Sequence, residues 1–300
     1  MLIAERQDGR LAPVCERETI VRLGKDVDAE GNLKTEAMQR GLDCLLEYLR
    51  LAREYHATRV IAVGTSALRD AANREEFLQR VQAETGLAVH IISGETEARL
   101  TYAGALSNQQ ELAEPIAVMD IGGGSTEIVT GTYEELHSAR SVDIGSVRLT
   151  ERFLRSDPVT AAEVAAVRQQ AQEAMLAVWP RTEFDQIRSL VGTAGTITTL
   201  AAMAQQLTEY DPARVDGYVL SKKTLRTLGA QLSGLTIAQR RKLPGLPPAR
   251  ADVILAGAVI LETFMDAYDF DEIMVSNRGL RYGVLLEPEL FADRATVLSG

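Results

Sequence analysis

Residues 116–131 read IAVMDIGGGSTEIVTG, an apolar run ended by Asp120, then three glycines, Ser125, Thr126, Glu127 and a second apolar run. Glycines after an acid let the backbone approach a ligand, because no Cβ stands in the way. Successive N–H groups of Gly122, Gly123, Gly124 and Ser125 can point at one phosphate. Ser125 and Thr126 add hydroxyl donors, and Asp120 is placed to hold a magnesium ion directly or through water. A plain hairpin turn is the competing reading, but a hairpin needs fewer glycines. No GxxxxGK[ST] pattern occurs, so this is not a Walker A loop.

Three further strand-to-turn junctions carry similar chemistry. In VGTAGTITTLAA (191–202), Gly192, Thr193, Gly195 and Thr196 place small residues and N–H groups at a helix start, where anions bind. Close packing at a helix start would read the same. In VGTSALRDAANREEF (63–77), Arg69 lies one turn into a short helix capped by Thr65 and Ser66. It is either a phosphate-binding arginine or a surface ion-pair partner of Asp70 or Glu75. In ISGETEARLTYAGA (92–105), Glu95 and Glu97 open a helix. Acids there complement the helix dipole, or one of them is a general base that orients a water for attack on phosphorus.

The elements that position these residues alternate between helix and strand, so the fold class is α/β. Residues 35–57 place Met38, Leu42, Leu45, Leu49 and Ala52 on one helical face. Residues 59–64 and 88–94 read as strands, and the helix between them carries an Asn73–Glu76 capping box and a stop at Gly86. A Thr160–Glu163 capping box opens a helix whose apolar face is Val164, Val167, Ala171 and Met175. Residues 251–268 are apolar almost all round, which predicts a buried helix. A strand, a turn and a last helix follow. The stretches LIAERQDGRLAPVCERETIVRLG and EIVTGTYEELHSARSVDIG share a pattern of three strands, a polar turn and a glycine. This predicts two β-meander-plus-helix units, beginning near residues 1 and 116. The strand and glycine turn that precede the meander in the second unit have no counterpart in the first. The expectation is that the natural protein starts upstream of Met1. In open α/β sheets, ligands sit where such junctions converge.

Bulk properties narrow the classes. A chain of 300 residues suits one large domain or two of about 150. The formal net charge of -10 argues against broad nucleic-acid binding, without excluding an anionic substrate. No stretch has the roughly 18 apolar residues of a membrane span, so no membrane partner is expected. The N-terminus mixes acids with two arginines and lacks the apolar core of a signal peptide. Cys15 and Cys44 lack CxxC spacing and read as reduced thiols. His56, His90 and His137 lack ligand spacing. A cytoplasmic location is the expectation.

The segments TSALRDAANREEF, ISGETEARL, DIGGGSTE, IGSVRLTERF, YDPARVDGYVLS, ADVILAGA and VSNRGLRYGVL resemble, in order and spacing, the exopolyphosphatase / guanosine pentaphosphate phosphohydrolase family. The resemblance runs from about residue 1 to 290. It implies duplicated ribonuclease-H-like halves of the actin, Hsp70 and sugar-kinase superfamily. These would span 1–112 and 113–279, with a C-terminal helix near 280–300 packing back on the first half. It implies hydrolysis of a terminal phosphoanhydride with Mg²⁺, and admits a monovalent cation such as K⁺. Glu97 matches the catalytic glutamate, Glu127 the second acid, and Asp120 the metal-linked aspartate. Gly122 to Ser125 match the phosphate loop, Arg69 the phosphate-contacting arginine, and Arg148 joins the expected phosphate-binding set. The substrate would be polyphosphate or guanosine pentaphosphate, and a homodimer is open.

This chain departs from the family pattern in three ways. The first phosphate loop is missing, Asp216 stands where relatives tend to have His, and Asn277 where they tend to have Asp. Two other readings remain. One is a kinase of the same superfamily, against which the GETEAR glutamate argues. The other is a regulator that binds polyphosphate or the alarmone without turnover.

Overall fold

The computed structural model describes residues 1–7, 10–109 and 111–298. Gly9, the glycine expected in the first unit's polar turn, lies outside the described residues, as do the last two residues of the expected C-terminal segment. The strands are β1 (Leu2–Gln7), β2 (Arg10–Glu16), β3 (Arg59–Val60), β4 (Ala62–Gly64), β5 (Val89–Ile91) and β6 (Ile116–Ile121). They continue with β7 (Thr126–Gly131), β8 (Leu136–Val142), β9 (Ser189–Thr193), β10 (Val219–Ser221), β11 (Glu272–Val275) and β12 (Thr296–Val297).

Six strands form one mixed sheet in the order β10-β11-β9-β6-β7-β8. The meander β6-β7-β8 is antiparallel, β9 pairs with β6 in parallel and β11 with β9 in parallel, through helical crossovers. Every residue of β6 and β7 is buried. Strands covered on both faces carry near-continuous apolar runs, which is how IAVMDI reads. One face packs against the helices Ala161–Val178, Ala194–Ala204 and Ile254–Ala267. The last of these has twelve buried residues among its fourteen, as its unbroken apolar sequence predicts. Val167, Ala171 and Met175 are buried, and the Thr160–Glu163 capping box forms with both its hydrogen bonds.

The remaining strands pair in twos: β1 with β2, β4 with β5 in parallel, and β3 with β12. A separate apolar cluster of Met38, Leu42, Leu49, Phe77 and Val81 lies beneath the helices Thr35–Glu54 and Arg74–Thr85. The helix Leu280–Leu286 crosses the helix Gly94–Leu106 at close range, and Leu100, Val284, Phe291 and Ile92 share one apolar cluster.

Three expected local features do not form. The third strand of the first meander is absent: residues 17–22 carry no regular structure. The stretch 59–64 is interrupted at Ile61, because β3 pairs with β12 and β4 with β5. Asn73 does not cap its helix. Its Oδ1 instead accepts from the Leu33 N–H at 2.8 Å and its Nδ2 donates to the Leu33 carbonyl at 3.0 Å. A long-range pair that satisfies both ends of the amide outcompetes a local cap that uses one. Gly86 does end the helix, at φ 73°.

Candidate active site

Asp120 is the penultimate residue of β6 and Glu127 sits second in β7, and the hairpin register places them directly opposite each other. They therefore flank the Gly122–Ser125 turn on one face of the ladder. Glu97 reaches them from the first turn of the helix Gly94–Leu106, which starts where Ser93 accepts from the Thr96 N–H at 3.1 Å. Glu97 is 7% exposed, Asp120 8% and Glu127 2%. Glu95, two residues before Glu97, is exposed.

The three carboxyls repel one another in a dry site. Burial pushes Asp120 up to about 7, with repulsion from Glu97 adding and the Thr101 hydroxyl opposing. Glu127 rises well above the usual carboxylate range through burial, then through repulsion from Glu97 and Asp120, against hydrogen bonds from Ser141 and Ser125. The Ser141 hydroxyl donates to Glu127 Oε1 at 2.6 Å. Glu97 is raised by burial, against the opposing pull of Arg69. Arg69 Nη1 donates to Glu97 Oε2 at 2.7 Å and to the Ile92 carbonyl at 3.0 Å. Glu97 Oε1 accepts no hydrogen bond among the described residues.

The glycine turn is held from one side only. Gly122 N–H closes it onto the Ser125 carbonyl at 3.0 Å. The Gly122 and Gly123 carbonyls accept from the N–H groups of Ser146, Val147 and Arg148, and Arg148 Nε donates to the Gly124 carbonyl at 2.7 Å. The N–H groups of Gly123, Gly124 and Ser125 donate to no acceptor among the described residues. Gly122 to Gly124 form one wall of a cleft of about 340 Å³, together with Ser66, Asp70, Arg148 and Arg250. A Cβ on Gly124 would fall on the Ser66 hydroxyl, which explains the glycine there. The three carboxylates are not in the cleft wall, but Ile121, next to Asp120, is.

The other expected contacts divide. Of the 192–196 junction only Gly195 lines the cleft. Gly192 is packed against Ile197 and Ile273. The Thr193 hydroxyl donates to the Arg278 carbonyl at 2.6 Å, and Thr196 is buried against Gly257. Thr126 is committed too, donating to the Ile144 carbonyl at 2.7 Å. Thr126 and Thr193 each give the hydroxyl to a backbone carbonyl, so these two offer nothing to the cleft, and the buried Thr196 is not in its wall. Arg69 pairs with neither Asp70 nor Glu75: Asp70 pairs with Arg148 instead. Asp216 and Asn277 meet in one network. Asp216 Oδ1 accepts from the Asn277 N–H at 2.9 Å, and the Tyr210 hydroxyl donates to Asn277 Oδ1. The sequence reading missed Ser141, Lys25, Arg22 and Arg250. Arg250 precedes the buried helix, a position with no local signal of a site.

Among the described residues no three His, Cys, Asp or Glu side chains converge as a metal-ligand set. Mg²⁺ does not need one, since it commonly takes one or two carboxylates plus waters and substrate phosphate oxygens. Asp120 is a buried, hard oxygen donor beside two like charges, which a divalent cation would offset. The residues fit Mg²⁺ on these grounds.

A family model for Ppx/GppA phosphatases matches residues 2–291. The chain belongs to the Ppx/GppA phosphatase family. Among its Ppx/GppA relatives is exopolyphosphatase 2 of Mycobacterium tuberculosis, 39% identical over 287 residues, covering 93% of this chain and 90% of that protein. The crystal structure of the Aquifex aeolicus Ppx/GppA family member superposes with a TM-score of 0.80 at 35% identity, over 97% of this chain and 94% of that one. An exopolyphosphatase from Cytophaga hutchinsonii gives a TM-score of 0.88 at 28% identity, over 96% and 93% of the two chains. Membership of the Ppx/GppA family makes this chain a phosphoryl hydrolase, and the α/β fold is the family's. Among the described residues no helix is long and apolar enough to cross a membrane.

Proposed function

We propose that the site hydrolyses the terminal phosphoanhydride of inorganic polyphosphate and releases orthophosphate, with Mg²⁺ at Asp120. The observation that carries this reading is Glu97: one carboxylate oxygen is held by Arg69 and the other accepts no hydrogen bond among the described residues, near a turn whose Gly123, Gly124 and Ser125 N–H groups are likewise unpaired among them. Relatives named exopolyphosphatases support the substrate class.

In this mechanism the terminal phosphate rests on the N–H groups of Gly123 to Ser125, where backbone dipoles receive its charge. Glu97 Oε1 accepts a proton from a water whose oxygen bonds to the terminal phosphorus. The bridging P–O bond breaks, and its electron pair departs on the shortened chain. Mg²⁺ held by Asp120 would supply charge neutralisation to the substrate. Arg148 fixes the turn through the Gly124 carbonyl, and Ser141 fixes Glu127. Burial of all three acids excludes bulk water from the proton acceptor. Guanosine pentaphosphate presents the same terminal anhydride and is the second substrate to compare.

The test is orthophosphate release from long-chain polyphosphate and from guanosine pentaphosphate, with and without Mg²⁺, by the wild type and Glu97→Gln. Release that disappears in the variant supports the hydrolase. Tight polyphosphate binding with no release by the wild type would replace it with a non-catalytic binding role.

A further inference from the structure

We infer that Arg69 serves catalysis as a positioning residue for Glu97. The inference rests on the proposed role of Glu97.

Arg69 occupies the last turn of the short helix Ser66–Asp70. Its neighbours Ser66, Ala67 and Asp70 are in the cleft wall, and Arg69, like Glu97, is not. Its guanidinium donates through Nη1 to Glu97 Oε2 at 2.7 Å and to the Ile92 carbonyl at 3.0 Å. The pair is largely shielded, with side-chain exposures of 20% for Arg69 and 10% for Glu97. The Ile92 carbonyl immediately precedes Ser93, the residue that caps the helix bearing Glu97. One guanidinium thus ties down both the carboxylate and the backbone that launches its helix. A rigid planar guanidinium whose Nη1 has two fixed acceptors holds an orientation that a flexible ammonium does not. Because Oε2 is occupied, Oε1 is the oxygen left to receive the proton of the attacking water. Arg69 also places a positive charge against a group of three mutually repelling acids, which keeps Glu97 where Asp120 and Glu127 would otherwise push it out. The cations that do line the cleft, Arg148 and Arg250 among them, are the ones positioned to meet phosphate.

A phosphate contact and a positioning residue differ in a double-mutant cycle. The variants are Arg69→Ala, Glu97→Gln and the double substitution, assayed for orthophosphate release from polyphosphate at saturating and limiting concentrations. If Arg69 acts through Glu97, Arg69→Ala lowers kcat by about 10²-fold, the scale of a misplaced catalytic group, with KM little changed. In the Glu97→Gln background the same substitution then changes nothing further, because the carboxylate it positions is gone. Arg69→Lys recovers part of kcat, since the charge returns without the fork. A rise in KM of about tenfold or more, or a further loss of rate in the Glu97→Gln background, overturns the inference and makes Arg69 a phosphate contact. Thermal unfolding checks each variant. If Arg69→Ala does not fold, the same cycle run with Arg69→Lys gives the same two opposed outcomes. Full turnover by Glu97→Gln alone is a separate result, which removes the base assignment itself.

Discussion

Two glutamates two positions apart in one helical turn meet opposite environments. Glu97 points into the protein beside Asp120 and Glu127, whereas Glu95 is exposed. Glu97→Gln should therefore cut turnover by about 10²–10⁴-fold, the usual size for a lost general base. Glu95→Gln should change it by less than about threefold, as for a surface residue. Steady-state phosphate release on both variants checks this. Asp120 makes a pH prediction in metal-free buffer. Its carboxyl titrates at its ordinary 3.8 when unfolded and at about 7 when folded. Between those values the folded protein holds a proton that the unfolded chain has lost. The stabilising contribution is complete below 3.8 and is lost as pH rises through about 7. Asp120→Asn, neutral throughout, should gain Tm relative to the wild type across that window, most above pH 7. A difference independent of pH would place the carboxyl in a wetter site. The same variant should weaken the dependence of activity on Mg²⁺, read from a magnesium titration.

The element that carries Glu97 is located by a crossing of two helices. A Cβ on Gly283 would overlap the Leu100 carbonyl, and one on Gly104 would overlap the Gly279 carbonyl. Two small residues let Leu280–Leu286 and Gly94–Leu106 approach backbone to backbone, which sets the depth at which Glu97 enters the site. Gly283→Ala should cost about 1–3 kcal/mol in urea unfolding, the usual cost of overpacking. It should also lower kcat, because the helix must shift away. A variant with unchanged stability would mean that the crossing tolerates a wider spacing.

At the scale of the molecule, the cleft gathers four cations beside three acids, Glu18, Asp70 and Glu151. The chain carries a formal charge of -10, yet Arg22, Lys25, Arg148 and Arg250 line the cleft. Three of these are paired with acids distant in sequence. Arg22 meets Asp252 at 2.5 Å, Arg250 meets Glu18, and Arg148 meets Asp70. A polyanion must compete with those carboxylates for the same cations. KM for polyphosphate should rise with ionic strength more steeply than kcat falls, since exposed charges are screened over about 8–10 Å at ordinary salt. Polyphosphate should also stabilise Glu97→Gln against unfolding, by about 2.7 kcal/mol at one hundred times Kd. An unchanged Tm at saturating polyphosphate would contradict binding at this cleft.

Local chemistry was sufficient to read much of this protein. The glycine turn, the buried helix Ile254–Ala267, the Thr160–Glu163 box and the alternation of strand and helix all follow from residues within a few positions of one another. So does the candidacy of Asp120, whereas the preference for Glu97 over Glu95 and the role of Glu127 came from the resemblance to the family. What the chain could not state was which local option wins when a distant group offers more. Asn73 leaves its cap for Leu33, Arg69 passes over Asp70 and Glu75 for Glu97, and Thr126 and Thr193 give their hydroxyls to remote carbonyls. The burial that separates Glu97 from Glu95 likewise depends on what covers one face of their helix. Each outcome depends on burial, and a polar group removed from water must find its partner wherever the fold has placed one. Propensity and spacing act over a turn or two of chain, whereas that requirement acts across the whole tertiary structure.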